Sequence, residues 1–540
     1  MNRIHRNRAN KHLAIITSAD VNKTTRALKN FCVEPFDKNK GEVYISCPYM
    51  AWHLIKKTYD WTGDDPQYEL VQNTTPSTII SEMALSWNQL YPGLKSKLPP
   101  LLKDGRLGLA TAYQKYGKPE PKKRPVIDLK FDPTINIRKA IARAGIFCIY
   151  HISGHGSFHL SHSTRLRLQL DQIQKYLTES TNHLQDPMLV MRSDDIEGFF
   201  TNVDVDAAIL AHERIVQLYM AQFANKKKVG KRKYQATSRN SNKIFVPLAK
   251  SVKSAPGHYN TSKISGKYST VILKEMTAII RWTTQYRTFT LGKMILKQKF
   301  GLFQGCPLSV YLALSIAFVA EHEARLSTLG KAIRGLRYVD DKIGITIAEN
   351  NPLMIQSAKD NLAEYNQFYH HSLSVKEELP VWTTPGISKY LYIGHILTNT
   401  GKQITREYYN KNWHHYNRAY PFRQVYKLEQ HYGSYCDKMS IRGQRKGRLL
   451  AIIRSTDTIR LRQVLCEKLF EYTYGLGDPP TFTIQILRRL LTTLAIEQDQ
   501  RDILHEIISA YKVIHRGVRL RERNIFRILP NLDTGSILNA

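Results

Sequence analysis

Apolar and polar positions along this chain switch between a period near two and a period near 3.6, so strands and helices alternate through its centre. Pro187-Met-Leu-Val-Met-Arg-Ser is a short apolar run of strand length that ends in Asp194-Asp195. Asp204 is placed to cap a helix running to about residue 223. Pro307 sits where a first-turn proline belongs, and residues 308 to 326 read as an apolar helix that must be buried. Leu336 and Tyr338 precede Asp340-Asp341, and Ile343, Ile345 and Ile347 alternate beyond them, which predicts a hairpin with two acids at its tip. Pro352 opens a helix whose Ile355, Ala358, Leu362, Tyr365 and Tyr369 share one face, and strand character returns at 373–375 and 390–397. From about residue 401 the pattern turns helical, with breaks at Gly475-Leu-Gly-Asp-Pro-Pro and around His515-Arg-Gly. The expectation is a mixed α+β centre followed by a helical, basic C-terminal domain.

Composition adds a partner. The 540 residues are 42% apolar, enough for large cores, and 79 Lys plus Arg against 45 Asp plus Glu leave a formal charge of +34. Such an excess points to a polyanion, with nucleic acid first and an anionic membrane surface second. Residues 214 to 274 hold fourteen Lys or Arg and no acid. Within them Lys226, Lys227, Lys228, Lys231, Arg232 and Lys233 lie in a stretch without either period, expected to be a long exposed loop that binds nucleic acid. No run reaches the apolar length of a membrane helix, the basic start lacks the apolar core of a signal peptide, and the six cysteines form no Cys-x-x-Cys. A soluble, cytoplasmic protein with reduced thiols and no membrane partner is expected.

Paired acids at a hairpin tip become informative beside an acid at a strand end. If the strands are neighbours, Asp195, Asp340 and Asp341 meet at one sheet edge and can hold two divalent cations. Hard oxygen ligands select Mg²⁺, with Mn²⁺ as a possible substitute, and a pair of such ions supports in-line phosphoryl transfer.

Tyr338-Val-Asp-Asp341 resembles the signature hairpin of reverse transcriptases, and other segments match that family in order. Asp195-Ile-Glu-Gly-Phe-Phe-Thr-Asn-Val203 resembles the first catalytic motif, and Gly301-Leu-Phe-Gln-Gly-Cys-Pro-Leu-Ser309 the Gln-Gly-x-Pro-x-Ser motif. Lys122-Lys-Arg-Pro-Val-Ile127 is similar to the basic fingers strand, Leu373-Ser-Val-Lys376 to the later lysine motif, and Tyr392-Ile-Gly-His-Ile396 to the primer-grip turn. The resemblance spans about residues 115 to 400 and implies a right-hand polymerase with fingers, palm and helical thumb.

It also implies roles. Asp195 and Asp340 become the principal metal ligands and Asp341 completes the acidic cluster, leaving Asp194 a bystander. Phe200 falls on the sugar-selecting position, where a ring occludes a 2′-hydroxyl and so favours dNTPs. Arg124, with Lys122 or Lys123, would grip the triphosphate. Gln304 and the adjoining Gly305 would approach the nucleotide or template. Lys376 would be a general acid or a phosphate contact, and Tyr392 and Gly394 would touch the primer.

Outside these motifs, residues 408 to 435 interleave rings such as Trp413 and Tyr416 with cations, which suits a thumb that tracks a strand. His151, His155, His159 and His162 have a helical spacing that Gly154 and Gly156 interrupt, so a loop against template or core is expected there rather than zinc. The domain reading is an N-terminal extension to about residue 100, fingers and palm to about 400 with a basic insertion at about 224–274, and a thumb and C-terminal domain beyond. A long helical C-terminal region looks like that of bacterial antiphage-defence and abortive-infection reverse transcriptases. That likeness implies an RNA-directed DNA polymerase working with a structured non-coding RNA, its DNA product and dNTPs, with a homo-oligomer or a companion defence protein as further partners. A nontemplated or protein-primed polymerase on the same fold, and a maturase-like RNA-binding protein, are the alternatives.

Overall fold

The computed structural model describes residues 18–37, 39–64, 66–115, 120–152, 158–160, 165–180, 183–226, 242–247, 268–409, 438–494 and 507–511. They form an α+β fold of antiparallel sheets and helices divided into two compact units. One comprises residues 46–380 with 401–403, and the other residues 1–45, 381–400 and 404–540.

The larger unit is built on three buried helices, Ile135–Ile152, Val205–Lys226 and Pro307–Ala324. The last forms where expected, with Pro307 in its first turn and Leu308, Leu312, Ile316 and Phe318 inside the core. Tyr311 of this helix reaches the helix Ile135–Ile152 at Gly145, where an added Cβ would lie 2.2 Å from its ring. Only a residue without a side chain lets these two helices pack so closely. The helix Val205–Lys226 is capped as predicted, the Asp204 carboxylate accepting from the Ala207 N–H at 2.8 Å.

Against these helices lies a four-stranded antiparallel sheet in the order Arg334–Tyr338, Asp341–Glu349, Pro187–Glu197, Ser374–Glu378. In the same unit Gly108–Gln114 pairs antiparallel with Lys123–Asp128 and parallel with Thr288–Leu291. Within the acid-free basic segment, beyond the stretch expected to be an exposed loop, the chain forms a hairpin, Lys243–Pro247 with Tyr268–Ile272. Its Ile244, Val246 and Val271 are buried, so short apolar runs prevail over the surrounding charge.

In the other unit, strands Trp382–Thr384, Ile387–Tyr392, His395–Asn399 and Ile404–Tyr408 follow one another in an antiparallel sheet. A strand, Ile404–Tyr408, therefore stands where the helical pattern was expected to begin, and the described helices of this unit's C-terminal part are Lys438–Ser455, Ile459–Gly475 and Pro480–Leu494, around Ile441, Leu449, Leu469 and Leu490. The break at Gly475 and the restart at Pro480 are as the sequence predicts.

Candidate active site

Register decides which acids meet. Asp341 stands directly opposite Asp195 across neighbouring strands, and Lys376 stands opposite Asp195 on the other side. Directly opposed residues share a sheet face, so Asp341, Asp195 and Lys376 form one row. The Ile196 N–H donates to the Asp340 carbonyl at 3.1 Å, which makes Asp195 and Asp341 a non-hydrogen-bonded pair, the class with the shorter separation of about 4.5 Å between Cα atoms.

Asp340 lies in a two-residue turn with Val339, closed by the Tyr338–Asp341 pair. Val339 adopts φ +62°, a conformation that a β-branched residue rarely takes and that such hairpin turns usually give to glycine. The turn is held from below. Arg337, with its side chain fully buried, donates to the Val339 carbonyl at 2.9 Å and is ion-paired with the equally buried Glu321. Glu321 also accepts from the Tyr369 hydroxyl at 2.8 Å and the Phe158 N–H at 3.2 Å.

Alternate residues point the other way. Asp194 stands opposite Lys342, and both are buried on the face whose Ile196 and Val190 join the main core. The Lys342 ammonium donates to Asp194 at 3.1 Å and to the Asn366 side-chain oxygen, beneath the rings of Tyr365 and Tyr369. Asp194 is thus more than the expected bystander: it neutralises a lysine inside the core.

Burial raises the Asp195 carboxyl above the ordinary range, and Asp340, Glu378 and Glu197 raise it further, with Lys115 pulling it back. The tip therefore concentrates negative charge on hard oxygens. Among the described residues no three carboxylate, imidazole or thiolate groups already stand as a closed ligand set. Asp195, Asp340 and Asp341 suit divalent cations in kind, as hard oxygen ligands at adjoining strand ends whose excess of negative charge such ions offset.

Three segments expected to surround the nucleotide are tied together. The Leu302 N–H donates to the Phe200 carbonyl at 2.7 Å, and the Ile127 N–H donates to the Gln304 carbonyl at 2.8 Å. Gly301, at φ +77°, lies so near Thr201 that a Cβ would meet its carbonyl oxygen at 2.1 Å. The Gln304 side-chain oxygen is buried without a hydrogen-bond partner. Phe200 is half-buried, its ring centroid 5.5 Å from that of the buried Phe199.

Of the two candidate lysines on the basic strand, Lys123 is buried opposite Gln114, whereas Lys122 is exposed and Arg124 half-buried. Lys376 is exposed, 3.8 Å from Glu197. Lys115, which the sequence did not single out, is the cation that lowers the Asp195 carboxyl. Gly117 and Pro119, residue types favoured in turns, were the available signal in the sequence that a strand ends near residue 115 and another begins near 122.

In the other unit, Tyr392 and His395 flank a hairpin turn in which Ile393 and Gly394 have φ +41° and +78°. Tyr392, expected to touch the primer, is buried, so its ring is not presented at the surface. His151 bonds the Phe147 carbonyl and His159 is buried in the larger unit, while His155 and His162 lie outside the described residues. So do Lys227, Lys228, Lys231, Arg232, Lys233, Trp413 and Tyr416, and of Lys226 only the helical backbone is described. No helix among the described residues is long and apolar enough to cross a membrane.

No protein-family model and no curated protein matches the chain. Among solved structures it is similar to apo telomerase from Candida tropicalis, with 12% identity and a TM-score of 0.45 over 95% of this chain and 77% of that one. Telomerase from Candida albicans, solved with a fragment of telomeric RNA, gives 10% identity and a TM-score of 0.44 over 96% and 75%. A Sicinivirus RNA-dependent RNA polymerase gives 10% and 0.33 over 81% and 76%. At this level of likeness, function must be read from the chain's own residues.

Proposed function

We propose that the protein is an RNA-directed DNA polymerase that adds dNTPs to a 3′ end. The observation that carries this reading is the direct opposition of Asp195 and Asp341 beside the Val339-Asp340 turn. Asp195, Asp340 and Asp341 would hold two Mg²⁺ ions, which when bound activate the 3′ oxygen and stabilise the departing pyrophosphate.

The remaining roles belong to the chain. Lys122, Arg124 and Lys115, the last of which acts on the Asp195 carboxyl, would present cations to a triphosphate. Lys376, in the same row as Asp195, would hold a phosphate or supply a proton to the leaving group. Phe200 limits room at the 2′ position, and Gln304 offers an unpaired amide oxygen beside a glycine that keeps the backbone accessible.

The helical unit that follows, and the likeness of the sequence to antiphage-defence reverse transcriptases, support a structured RNA partner and a role in defence. Purified protein with its bound RNA is incubated with each dNTP, with and without RNase. RNase-sensitive synthesis of defined DNA is expected. RNase-resistant synthesis would mean a nontemplated or protein-primed polymerase, and absent incorporation with RNA retained would mean an RNA-binding scaffold. Asp340→Asn should abolish incorporation while leaving RNA retention nearly intact, and normal synthesis by that variant would remove the metal assignment.

A further inference from the structure

The helix Pro48–Thr58, within the larger unit, turns an unusual face outward. Leu54 and Ala51 are buried, and around the rest of the helix lie Trp52, Lys56, Tyr49, His53, Lys57 and Met50 in that order. Tyr49 is 79% exposed, Trp52 47% and Met50 41%. A solvated helix ordinarily shows mixed charges here, yet no acid occurs from Cys47 to Tyr59.

The helix is rigidly fixed. Cys47 caps its start, and Trp61 packs beside Trp52 with ring centroids 6.0 Å apart. Tyr59, just past its end, donates to the Thr111 carbonyl at 2.6 Å and accepts from the Val126 N–H at 3.2 Å. Val126 belongs to the strand that carries Arg124, so the exposed rings belong to the same rigid piece as the cations assigned to the nucleotide.

We infer that this face is a stacking platform for single-stranded RNA, the template strand on the polymerase reading, on which the word template rests. Separate rings offer surfaces to unstacked bases, which a duplex lacks, and Lys56 and Lys57 meet the phosphates between them. A second copy is disfavoured as occupant, because a two-fold contact would set these lysines against themselves.

The test is fluorescence anisotropy with a labelled, unstructured 12-nucleotide RNA, alone and annealed to complementary DNA, on the full chain without dNTPs. Tyr49→Ala with Trp52→Ala should weaken single-strand binding about tenfold or more, and duplex binding far less. Tyr49→Phe with Trp52→Phe should retain it. Lys56→Ala with Lys57→Ala should reduce the salt slope of log K by about 1.4, or 0.7 for each cation. Wild-type affinity in the double alanine variant, with an unchanged melting curve, would overturn the platform. So would a change of sedimentation without a change of RNA affinity, which assigns the face to a second copy. If the aromatic variant fails to fold, Lys56→Glu with Lys57→Glu, both exposed, decides in the same way. Because the binding assay needs no catalysis, failure of the wild type to incorporate dNTPs would sink the polymerase reading and leave the platform standing.

Discussion

Asp194 and Lys342 face each other across neighbouring strands and close an ion pair at 3.1 Å with 1% of either side chain exposed. They sit one residue from Asp195 and Asp341, on the opposite face of the sheet. Burial lowers the Lys342 pKa, and the adjacent Asp194 counters that shift. Consecutive aspartates should therefore fail in different ways. Asp194→Asn leaves a buried ammonium without its counter-charge and is expected to cost about 3–5 kcal/mol in a urea melt. Asp195→Asn removes a carboxylate whose charged form the fold already disfavours, so stability should hold or rise while dNTP incorporation is lost. Equal losses of stability in both variants would contradict the two-face arrangement.

Val339 stores strain at the turn that carries Asp340, and Arg337 grips its carbonyl. Val339→Gly relieves a left-handed β-branched residue, a conformation that costs on the order of 1–3 kcal/mol, and loses part of the gain to unfolded-chain entropy. Net stabilisation of up to about 1 kcal/mol is expected, together with slower incorporation because the tip is less restricted. Calorimetry and single-turnover kinetics on the same variant check both halves, and a clear loss of stability would mean that the strain is absent.

The strand end and the hairpin that carry Asp195, Asp340 and Asp341 were legible in the sequence because each reads from adjacent residues. The role of Asp194 was not, since its partner lies 148 residues away and only register assigns the pair to one face. The strand Ile404–Tyr408 was hidden for a related reason. Its inward positions are Ile404, Arg406 and Tyr408, and the charged middle member breaks the apolar alternation. Arg406 is nevertheless buried, because its guanidinium donates to Asp457 at 2.8 Å and 3.0 Å. Lys115 escaped notice because its relation to Asp195 exists only after the strands of two separate sheets are assembled.

Acid should weaken the larger unit through its histidines. Burial holds the His212 imidazole down at about 4, and burial with Arg337 holds His159 down at about 3, against about 6.5 in an unfolded chain. Between pH 6.5 and 4 the unfolded state therefore binds more protons. Stability is full above about pH 6.5 and falls as pH drops, by at most about 1.4 kcal/mol per pH unit for each histidine. Denaturant melts at pH 7.5 and 5 should show this decline. His212→Gln should flatten it while lowering stability at pH 7.5, because the 2.6 Å contact with the Tyr311 hydroxyl is disturbed. An unchanged slope in that variant would place the proton uptake elsewhere.

Phe200 offers the sharpest test of which nucleotide the site accepts. Its ring is half-buried against the core edge, and its carbonyl is bound by the Leu302 N–H at 2.7 Å, so the backbone of the first catalytic segment stays tied to the Gln304 loop whatever side chain stands there. Shortening the side chain should open space without releasing that tie. Phe200→Ala is expected to shift the ratio of kcat/KM for ribonucleotides over deoxynucleotides upward by roughly 10- to 100-fold, a range that pocket shape alone can supply. Phe200→Tyr keeps the obstruction and should keep the preference. If Phe200→Ala reduced incorporation of both nucleotides equally, the ring would be supporting the core and not reading the sugar. Any preference for deoxynucleotides would then have to arise from the surrounding backbone.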